Sequence, residues 1–379
     1  MSQPVVFFNG RLLPPSETFI RAQGEGLKEF TPYYVGSHLV KNGLPLPPER
    51  TLVVNQGGWK GSAQEGVFKL FGTAPNLYQQ VRMLQPALVH AHFGICGALA
   101  LPLARTLKLP LIVTIYGIDI TMKDEYAQRA SISHRVYFRR QEALKRETRL
   151  FIAISNFIQA KLLEKGFPAD KILIHPIGVD TDTFQLDPHV PREPVVLFVA
   201  RLVEKKGCEY LIRAMHKVQA LMPDVELVII GDGPLRDSLE EQAKSALQRY
   251  RFLGVQPPEV VRNWMNRATV FSVPSITAES GDTEGLGVVF AEAQVMGLPV
   301  VSSASGGIPD VVAHGKTGFL APEKDWESLA NYLLQLLQDP LLWQRFSLDG
   351  KERVQTMFDQ RKLSKGLEDI YKAVLQANK

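Results

Sequence analysis

The chain contains 379 residues, of which 45% are hydrophobic and 22% are charged, and its formal net charge is +4. This composition is typical of a folded globular protein and excludes the intrinsically disordered and fibrous classes. At about 150 residues per domain, the length predicts two or three domains, of which two is the better fit.

Short apolar runs alternate along the chain with longer segments whose apolar residues recur every three or four positions. The short runs predict twelve strands, which in chain order are Val5–Phe8, Tyr33–Val35, Thr51–Val54, Leu88–His92, Leu111–Ile115, Leu150–Ile154, Ile172–His175, Val195–Ala200, Val225–Ile230, Arg251–Leu253, Val270–Val273 and Leu298–Ser302. The segment Gly315–Phe319 is interpreted as a turn, and the stretch from about Asp359 to Gln376 is predicted to be the last helix.

Strands that alternate with helices predict parallel sheets that are covered by helices on both faces. The chain divides best at Thr181–Pro194, a polar, proline-rich stretch without periodicity. We therefore predict an α/β protein of two doubly wound domains of similar size. In such sheets ligands bind beyond the carboxyl ends of the strands, and two domains that face each other form a cleft.

Charge is distributed unevenly, with a balance of +8 in residues 1–180 and of −4 in residues 181–379. The basic excess is densest from Arg129 to Arg149, where seven cations face only Glu142 and Glu147. This segment is either a solvated helix face or a surface that attracts an anionic partner, such as a phosphate-bearing lipid or the cytoplasmic membrane leaflet. Nucleic acid is not expected as a partner, because no nucleic-acid-binding motif occurs and the second half is acidic.

The two cysteines, Cys96 and Cys208, are too few for a disulfide framework and suggest a reducing compartment. The start of the chain has no basic segment of the kind that opens a signal peptide. The most apolar long stretch, Gly94–Tyr116, is interrupted by Arg105 and Lys108 and is therefore not predicted to span a membrane. We expect a cytoplasmic protein, with peripheral binding to the cytoplasmic face of the membrane as a hypothesis.

Two cations follow the strand predicted at Val195–Ala200. Arg201 lies at the strand end and Lys206 at the entry of the next helix, so both can reach one point above the sheet, where a helix N-terminus adds positive potential. This combination suits a diphosphate, although surface cations beside a turn are the alternative. Gly231 and Val255 follow the next two strands, where they are also explained as ordinary loop residues.

A glycine-rich segment precedes another predicted helix. Glu284 lies before this helix, which we predict to begin near Leu286, and Glu292 lies on its second turn. Gly285 and Gly287 allow backbone amides to approach an anion. Because a carboxylate accepts two hydrogen bonds side by side, each glutamate suits a vicinal diol, one on a sugar and one on a ribose. Taken alone, Glu292 also fits an ordinary helix carboxylate.

Taken together, seven segments of the second half resemble the donor-binding half of the retaining GT-B glycosyltransferases of family 4. In chain order they read VARLVEKKG, IIGDGP, FLGV, VPS, EGLGVVFAEAQVMGLPVV, SGGIPDVV and GKTGFL. The stretch EGLGVVFAE matches the paired-glutamate motif of that family, Glu-x₇-Glu. The first half resembles the family in fewer places, which are Val89–Phe93, Ile154–Ile158 and Pro176–Asp180.

The resemblance implies a GT-B fold, in which two Rossmann-like domains face a central cleft. Residues 1–182 would form the acceptor-binding domain and residues 183–358 the domain that binds the nucleotide-sugar donor. The helix within residues 359–379 would pack back on the first domain.

The resemblance also implies a role for individual residues. Arg201 and Lys206 would hold the donor diphosphate, Glu284 would bind the sugar hydroxyls and Glu292 the ribose. His92 would lie near the acceptor and the anomeric centre, so His92, Arg201, Lys206 and Glu284 are the expected catalytic residues. The other expected donor contacts are those of Gly231, Val255, Gly285, Leu286 and Gly287, with Val255 meeting the base through its backbone.

Two regions depart from the family pattern. The loop after the first strand lacks the Gly-Gly pair found in many members, and Ser16, which we interpret as a helix N-cap, could face phosphate or acceptor there. Many relatives have histidine where this chain has Tyr116, and a tyrosine cannot perform the proton transfers of a histidine near neutral pH. Tyr116 is therefore predicted to lie on the acceptor side without the role of a catalytic base. Asp119 either binds a sugar hydroxyl or fixes its own loop, and His90 is expected to be buried in its strand.

The reaction implied is transfer of a hexose, with retained configuration, from a nucleotide-diphosphate sugar to a hydroxyl of a saccharide or lipid-linked acceptor in exopolysaccharide, lipopolysaccharide or glycolipid assembly. A UDP-sugar is favoured over a GDP-sugar, and neither a cofactor nor a metal is expected. The alternatives are transfer to a small soluble acceptor such as a sugar phosphate, and a sugar- or lipid-binding protein without activity. An oxidoreductase is disfavoured because no Gly-x-Gly-x-x-Gly fingerprint opens a strand–helix unit. No oligomeric state is predicted.

Overall fold

The computed structural model describes residues 2–377 and divides into two compact units. Unit 1 consists of the chain up to Gly178 together with the chain from Gln360 onward, and unit 2 runs from Val179 to Asp359. The predicted division after residue 182 lies a few residues beyond the first of these boundaries.

Unit 1 contains a seven-stranded sheet in the order β3-β2-β1-β4-β5-β6-β7, and every strand pair in it is parallel. The strands are β1 (Gln3–Leu12), β2 (Phe30–Leu39), β3 (Thr51–Asn55), β4 (Val89–His92), β5 (Leu111–Ile115), β6 (Leu150–Ala153) and β7 (Ile172–Ile174). The helices are α1 (Thr18–Glu25), α2 (Gly58–Phe71), α3 (Pro75–Met83), α4 (Gly94–Leu107), α5 (Ile118–Thr121), α6 (Asp124–Ala130), α7 (Ile132–Glu147), α8 (Asn156–Glu164) and, at the end of the chain, α16 (Gln360–Gln376).

Unit 2 contains a six-stranded parallel sheet in the order β10-β9-β8-β11-β12-β13. The strands are β8 (Val195–Val199), β9 (Glu226–Ile230), β10 (Tyr250–Phe252), β11 (Val270–Phe271), β12 (Val300–Ser303) and β13 (Gly318–Ala321). The helices are α9 (Cys208–Leu221), α10 (Arg236–Ala246), α11 (Pro258–Arg267), α12 (Val288–Val295), α13 (Ile308–Val311), α14 (Trp326–Gln338) and α15 (Pro340–Met357).

The central strands of both sheets are buried on both faces, which explains why they are apolar throughout instead of alternating. All residues of β5 are buried, as are the first four residues of β8. The predicted two doubly wound α/β domains are therefore confirmed, as are all twelve predicted strands to within a few residues at their ends.

One strand was missed. Gly318 and Phe319, which we assigned to a turn, belong to β13, and the turn itself covers only the residues before Gly318. Gly318 pairs with Val300 in a position where a side chain on Gly318 would collide with the Val300 carbonyl. The glycine that suggested a turn is thus required by the close approach of two strands.

Each sheet has one position where the chain reverses the direction in which it adds strands. In unit 1 this switch point lies between β1 and β4, and in unit 2 it lies between β8 and β11. At a switch point the connections leave to opposite sides of the sheet, so a crevice opens beyond the carboxyl ends of the two strands. Functional side chains are expected at these two crevices.

Candidate functional site

At the switch point of unit 2, the loops after β8 and β11 meet through an ion pair between Lys206 and Glu284. Lys206 ends a short 3₁₀ turn, Glu204–Lys206, and Glu284 lies in the long loop between β11 and α12. A second pair joins Lys205 to Asp282 with an N–O distance of 3.1 Å. The structure therefore brings together the two predicted residues that lie 78 positions apart in the sequence.

The Lys206–Glu284 pair is mostly buried, with 15% and 14% of the two side chains exposed. Burial alone raises the pKa of Glu284, but the charges of Lys206 and Lys205 and the hydrogen bond from Lys206 outweigh it and hold the pKa below its ordinary value. Glu284 is accordingly ionised at neutral pH, and one cation of the crevice is already neutralised.

Glycines allow the loops of this crevice to approach each other closely. Gly231 has a φ of 136° and faces the carbonyl of Ala200, which a side chain at this position would strike. Gly207, with a φ of 61°, lies in the same way against the carbonyl of Pro274. Gly231 also donates a hydrogen bond of 2.8 Å to the Gly254 carbonyl, so that the ends of β8, β9 and β10 are tied together.

Arg201 and Val255 lie exposed at the rim of this edge. Arg201 follows β8, and its side chain has no partner among residues 2–377. Val255 follows β10, with 77% of its surface exposed, so its side chain contributes nothing to the core.

Glu292 is half-buried on the second turn of α12, as predicted, and no described residue bonds its carboxylate. Burial raises its pKa to about 7. Ionising a carboxylate that is desolvated and has no partner costs free energy. Glu292 is therefore not explained by an ion pair or hydrogen bond that stabilises the fold.

The helix that carries Glu292 begins at Val288, two residues later than predicted. Gly287 is in the left-handed conformation, with a φ of 85°, and precedes the first helical turn. Gly285 and Leu286 are buried in the loop, and the Glu284 carbonyl accepts a hydrogen bond of 2.8 Å from Gly307. A loop fixed by backbone contacts thus leads directly into the free amides of a helix N-terminus.

At the switch point of unit 1, residues of β1 and of the segments that follow β1 and β4 form a second cluster. Cys96, on the first turn of α4, accepts a hydrogen bond of 3.1 Å from the Gly10 amide and donates one of 3.4 Å to Asn9 Oδ1. Asn9 Nδ2 in turn donates to Glu17 Oε2 at 2.5 Å. Glu17 was not singled out in the sequence, although it follows two prolines and directly precedes a helix.

His92 is fully buried at the end of β4, where its Nδ1 lies 2.7 Å from the Tyr116 hydroxyl. A second set of hydrogen bonds surrounds His90, whose Nε2 lies 2.7 Å from Thr114 Oγ1 and whose Nδ1 lies 2.6 Å from the hydroxyl of Tyr371 on α16. His90 is buried as predicted, and burial lowers its pKa to about 3.

The direction of the His92–Tyr116 hydrogen bond follows from counting the unpaired groups. Burial lowers the pKa of His92 well below its ordinary value, so its ring is neutral. If the Tyr116 hydroxyl donates to His92 Nδ1, only the N–H at His92 Nε2 lacks a partner among the described residues. In the opposite direction, both the Tyr116 hydroxyl hydrogen and His92 Nε2 would be unpaired. The first arrangement leaves fewer buried groups unsatisfied, and it makes His92 a hydrogen-bond donor at Nε2.

Asp119 is fixed to its neighbours by one oxygen. Its Oδ2 accepts a hydrogen bond from the amide of Gly94, the first residue of α4, whereas its buried Oδ1 has no partner among the described residues. Burial raises the pKa of Asp119 to about 6. Of the two predicted roles, the structure shows the loop contact and leaves one oxygen unused.

Ser16 is not the cap of the helix that follows it. The helix begins at Thr18, Glu17 occupies the N-cap position, and Ser16 lies exposed in the preceding turn. The prediction that Ser16 caps α1 is therefore wrong, because the turn made by Pro14 and Pro15 ends one residue later than we assumed.

The basic segment Arg129–Arg149 is not a single solvated face. Arg139 and Arg140 both donate hydrogen bonds to the Leu70 carbonyl at the end of α2, and Arg140 also donates to the Ala98 carbonyl. Other cations of the segment are paired with carboxylates, Lys145 with Glu142 and Arg146 with Glu147. Arg129 and Arg135 are exposed and have no partner within residues 2–377.

Within residues 2–377, no group of three or more His, Cys, Asp or Glu side chains is arranged to hold a metal ion. None of the helices in the same part of the chain is both long enough and apolar enough to cross a bilayer. Cys96 and Cys208 are free thiols, each buried in a different unit.

Two family models match the chain, and between them they cover most of it. The model for glycosyl transferases group 1 matches residues 181–353, and the model for Glycosyltransferase Family 4 matches residues 37–183. The two matches meet close to the boundary between the units.

Individual proteins are similar over comparable lengths. The amylovoran biosynthesis glycosyltransferase AmsK of Erwinia amylovora is 32% identical over 329 residues, which are 80% of this chain and 77% of AmsK. The GDP-mannose-dependent alpha-(1-6)-phosphatidylinositol monomannoside mannosyltransferase of Mycolicibacterium smegmatis is 34% identical over 200 residues, 49% of this chain and 52% of that protein. The crystal structure of Anabaena HepE in complex with UDP and glucose has a TM-score of 0.76 at 20% identity and covers 98% of this chain and 100% of HepE.

Two parallel-sheet units with side-chain clusters at both switch points, together with these matches, define the class of protein. The chain belongs to the group 1 glycosyltransferases and has their GT-B fold. The predicted family, fold and glycosyltransferase activity are confirmed.

Proposed function

We propose that this protein is a retaining glycosyltransferase that moves a hexose from a nucleotide-diphosphate sugar to a hydroxyl of a saccharide or lipid-linked acceptor. The process would be exopolysaccharide, lipopolysaccharide or glycolipid assembly, which agrees with the names of AmsK and of the mycobacterial mannosyltransferase. In this proposal unit 2 binds the donor and unit 1 binds the acceptor.

The observation that carries the proposal is the charge arrangement at the switch point of unit 2. Lys206 is held by Glu284 at the crevice, and Arg201, which follows the same strand, is exposed and has no side-chain partner in the described chain. The loop through Gly285 and Gly287 leads to a helix N-terminus, which adds partial positive charge. Two cations and free amides at one edge suit a diphosphate.

The remaining groups of this edge suit the nucleoside and the sugar. Glu292, whose carboxylate has no described partner, would accept hydrogen bonds from the ribose diol. Glu284 would accept them from the sugar hydroxyls, and the exposed backbone at Val255 would meet the base. Gly231 would permit the phosphates to approach the ends of β8 and β9.

The reaction places negative charge on the leaving diphosphate, which Arg201 and Lys206 would stabilise. On the acceptor side, the bond from the acceptor oxygen to the anomeric carbon forms on the face from which the diphosphate departs, and a donor phosphate oxygen takes the hydroxyl proton. The Nε2–H of His92 would donate a hydrogen bond to an oxygen of the donor or acceptor. Through its hydrogen bond to His92 Nδ1, Tyr116 would keep the His92 ring in the orientation that presents Nε2–H. Tyr116 would not itself accept a proton.

Two relatives point to different nucleotides in the sugar donor. We propose a UDP-sugar first, as HepE was crystallised with UDP and glucose, whereas the mannosyltransferase depends on GDP-mannose. No metal is required in this proposal because side chains supply the positive charge at the diphosphate. Addition of a chelator should therefore leave the transfer rate unchanged.

Replacement of Lys206 tests the proposal. Lys206→Ala should lower the affinity for UDP-glucose or GDP-mannose by roughly tenfold to a hundredfold, because a charge-assisted hydrogen bond to phosphate contributes about 1.5–3 kcal/mol. Isothermal calorimetry with both donors measures the loss. Lys244→Ala, which removes an exposed lysine of the same unit, is the matched control. Equal donor affinity of Lys206→Ala and wild type would refute the phosphate site, and binding of neither donor to wild type would refute the proposed function.

A further inference from the structure

The switch point of unit 1 contains a carboxylate that the proposed reaction does not use. Glu17 is half-buried at the N-cap position of α1, yet its side chain makes no cap hydrogen bond to that helix. Its Oε2 is held by Asn9 at 2.5 Å, and its Oε1 has no partner among the described residues and is not sealed from solvent. The strand thus fixes the carboxylate and leaves one oxygen open.

The titratable groups that face Glu17 come from three elements. They are Arg11 on β1, Cys96 on α4 and Tyr116 after β5. Burial raises the pKa of Cys96 to about 12 and that of Tyr116 well above its ordinary value, so both remain neutral. Asp119, which interacts with the same cysteine and tyrosine, has its carboxyl pKa raised by burial to about 6.

For Glu17 itself, burial is the largest influence and raises the pKa to about 7, against the lowering effects of the Asn9 hydrogen bond and the Arg11 charge. The carboxyl therefore changes its charge near neutral pH. The affinity for a ligand that binds only the ionised carboxylate should therefore fall as the pH is lowered through about 7.

Two half-buried aromatic rings pack against Tyr116, which is one of the groups that interact with Glu17. Phe19, on the first turn of α1, and Phe93, directly after β4, have ring centroids 5.0 Å and 4.7 Å from that of Tyr116. Apolar and aromatic side chains beside a single fixed polar group are the usual composition of a small-molecule site. A sugar ring presents C–H groups to aromatic faces and hydroxyls to a carboxylate, so it matches this composition.

The loops that supply these side chains hold unusual backbone conformations. Phe93 has a φ of 76° and Leu13 a φ of 40°, although neither is glycine. Such residues cost about 1–3 kcal/mol each and cluster at binding and active sites. The two strained positions lie after the two strands that flank the switch point.

We propose that Glu17, Phe19 and Phe93 form the subsite that binds a sugar ring of the acceptor, with the free oxygen of Glu17 accepting a hydrogen bond from a hydroxyl. This subsite deepens the proposed function and rests on it, because it gives unit 1 a specific saccharide contact. It replaces Ser16 as the acceptor-side group of the loop after β1.

Binding of simple glycosides tests the subsite without knowledge of the natural acceptor. Methyl α-D-glucopyranoside, methyl α-D-galactopyranoside and methyl α-D-mannopyranoside would be titrated into the full-length protein, with saturation-transfer NMR as the readout. Wild type should bind at least one of them more tightly at about pH 8 than at about pH 6, by roughly tenfold, because Glu17 is ionised only at the higher pH. Glu17→Gln should bind about tenfold more weakly at pH 8 and lose the pH dependence.

Two further variants separate this role from a structural one. Glu49→Gln removes an exposed carboxylate of the same unit and should behave as wild type. Phe19→Leu should weaken binding but retain the pH dependence, and it decides the question if Glu17→Gln does not fold. Glycoside binding that is absent in wild type, or unchanged in folded Glu17→Gln, would overturn the subsite. Neither outcome touches the donor binding on which the proposed function is tested.

Discussion

At the scale of single residues, Glu284 and Glu292 show how a charged partner changes the ionisation of a carboxylate. Glu284 has a lysine partner that holds its pKa below the ordinary value, whereas Glu292 has none among the described residues and its pKa is raised by burial. Ionised Glu292 therefore destabilises the protein when no ligand is bound. A ligand with two hydroxyls would supply the missing hydrogen bonds.

Glu292→Gln tests this interpretation through the pH dependence of stability. The folded protein keeps Glu292 protonated up to about pH 7, whereas the unfolded chain loses the proton near the ordinary value of 4.5. Wild type should therefore lose stability relative to the variant as the pH rises from about 4.5 to 7, and the two should be equally stable below that window. Urea unfolding at several pH values measures the difference, and donor affinity should fall in the variant. A variant that is less stable than wild type at about pH 8 would contradict the interpretation.

The residues at the switch point of unit 1 were only partly predictable. Sequence alone placed His92 at a strand end and questioned Tyr116, but it gave no indication that Tyr116 bonds His92 or that Tyr371 bonds His90. Partners that are 281 positions apart, as His90 and Tyr371 are, become neighbours only through the fold. Ser16 was predicted to be the cap because serine is a common N-cap residue, a local preference that the turn geometry overrode.

At the scale of secondary structure elements, Gly231 explains why a glycine-rich turn follows β9. Gly231→Ala should destabilise the protein by more than about 1 kcal/mol, because its φ of 136° disfavours a side chain and a Cβ would strike the Ala200 carbonyl. Gly66→Ala, in the helix α2 with open space around the Cα, should be neutral or stabilising and is the control. Denaturant unfolding measures both, and an unchanged Gly231→Ala protein would contradict the close packing.

The strands followed from the sequence with one exception, β13. Apolar runs identified the strands because a parallel sheet buries both faces, as in β5. The missed strand β13 contains a glycine and begins directly after a turn, so its local composition favoured a turn. Its strand conformation comes from pairing with β12, a contact that no local pattern records.

At the scale of the whole molecule, the basic excess of the first half can now be assigned to fewer residues. Most cations of Arg129–Arg149 have partners in the protein, and Arg139 and Arg140 fasten α7 to the end of α2. Charge reversal of those two would disturb packing, so they are unsuitable for a test of membrane binding. Arg129 and Arg135 are exposed and have no described partner.

If the hypothesis of an anionic membrane surface holds, Arg129→Glu with Arg135→Glu should weaken binding to phosphatidylserine-containing vesicles. At roughly 1 kcal/mol for each cation near the surface, the loss should be at least about 2 kcal/mol, measured by vesicle sedimentation at low salt. Lys244→Glu with Lys316→Glu, two exposed lysines of unit 2, gives the control for net charge. Unchanged vesicle binding would leave Arg129 and Arg135 as solvated surface residues without a membrane role.

The positions at which the chain passes from one unit to the other determine the order in which the units are completed during synthesis. Within unit 2, Val179 and Asp359 are joined by a parallel bridge, and within unit 1 the backbone at Gly178 touches that of Gln360. Unit 2 is thus one continuous insertion into unit 1. The last helix of unit 1 supplies the Tyr371 hydroxyl to His90 and the Glu368 carboxylate to the amides of Lys28 and Glu29. The first 178 residues leave the ribosome first, yet their domain is completed last, because a translating chain must already have emerged through unit 2 before α16 can close it.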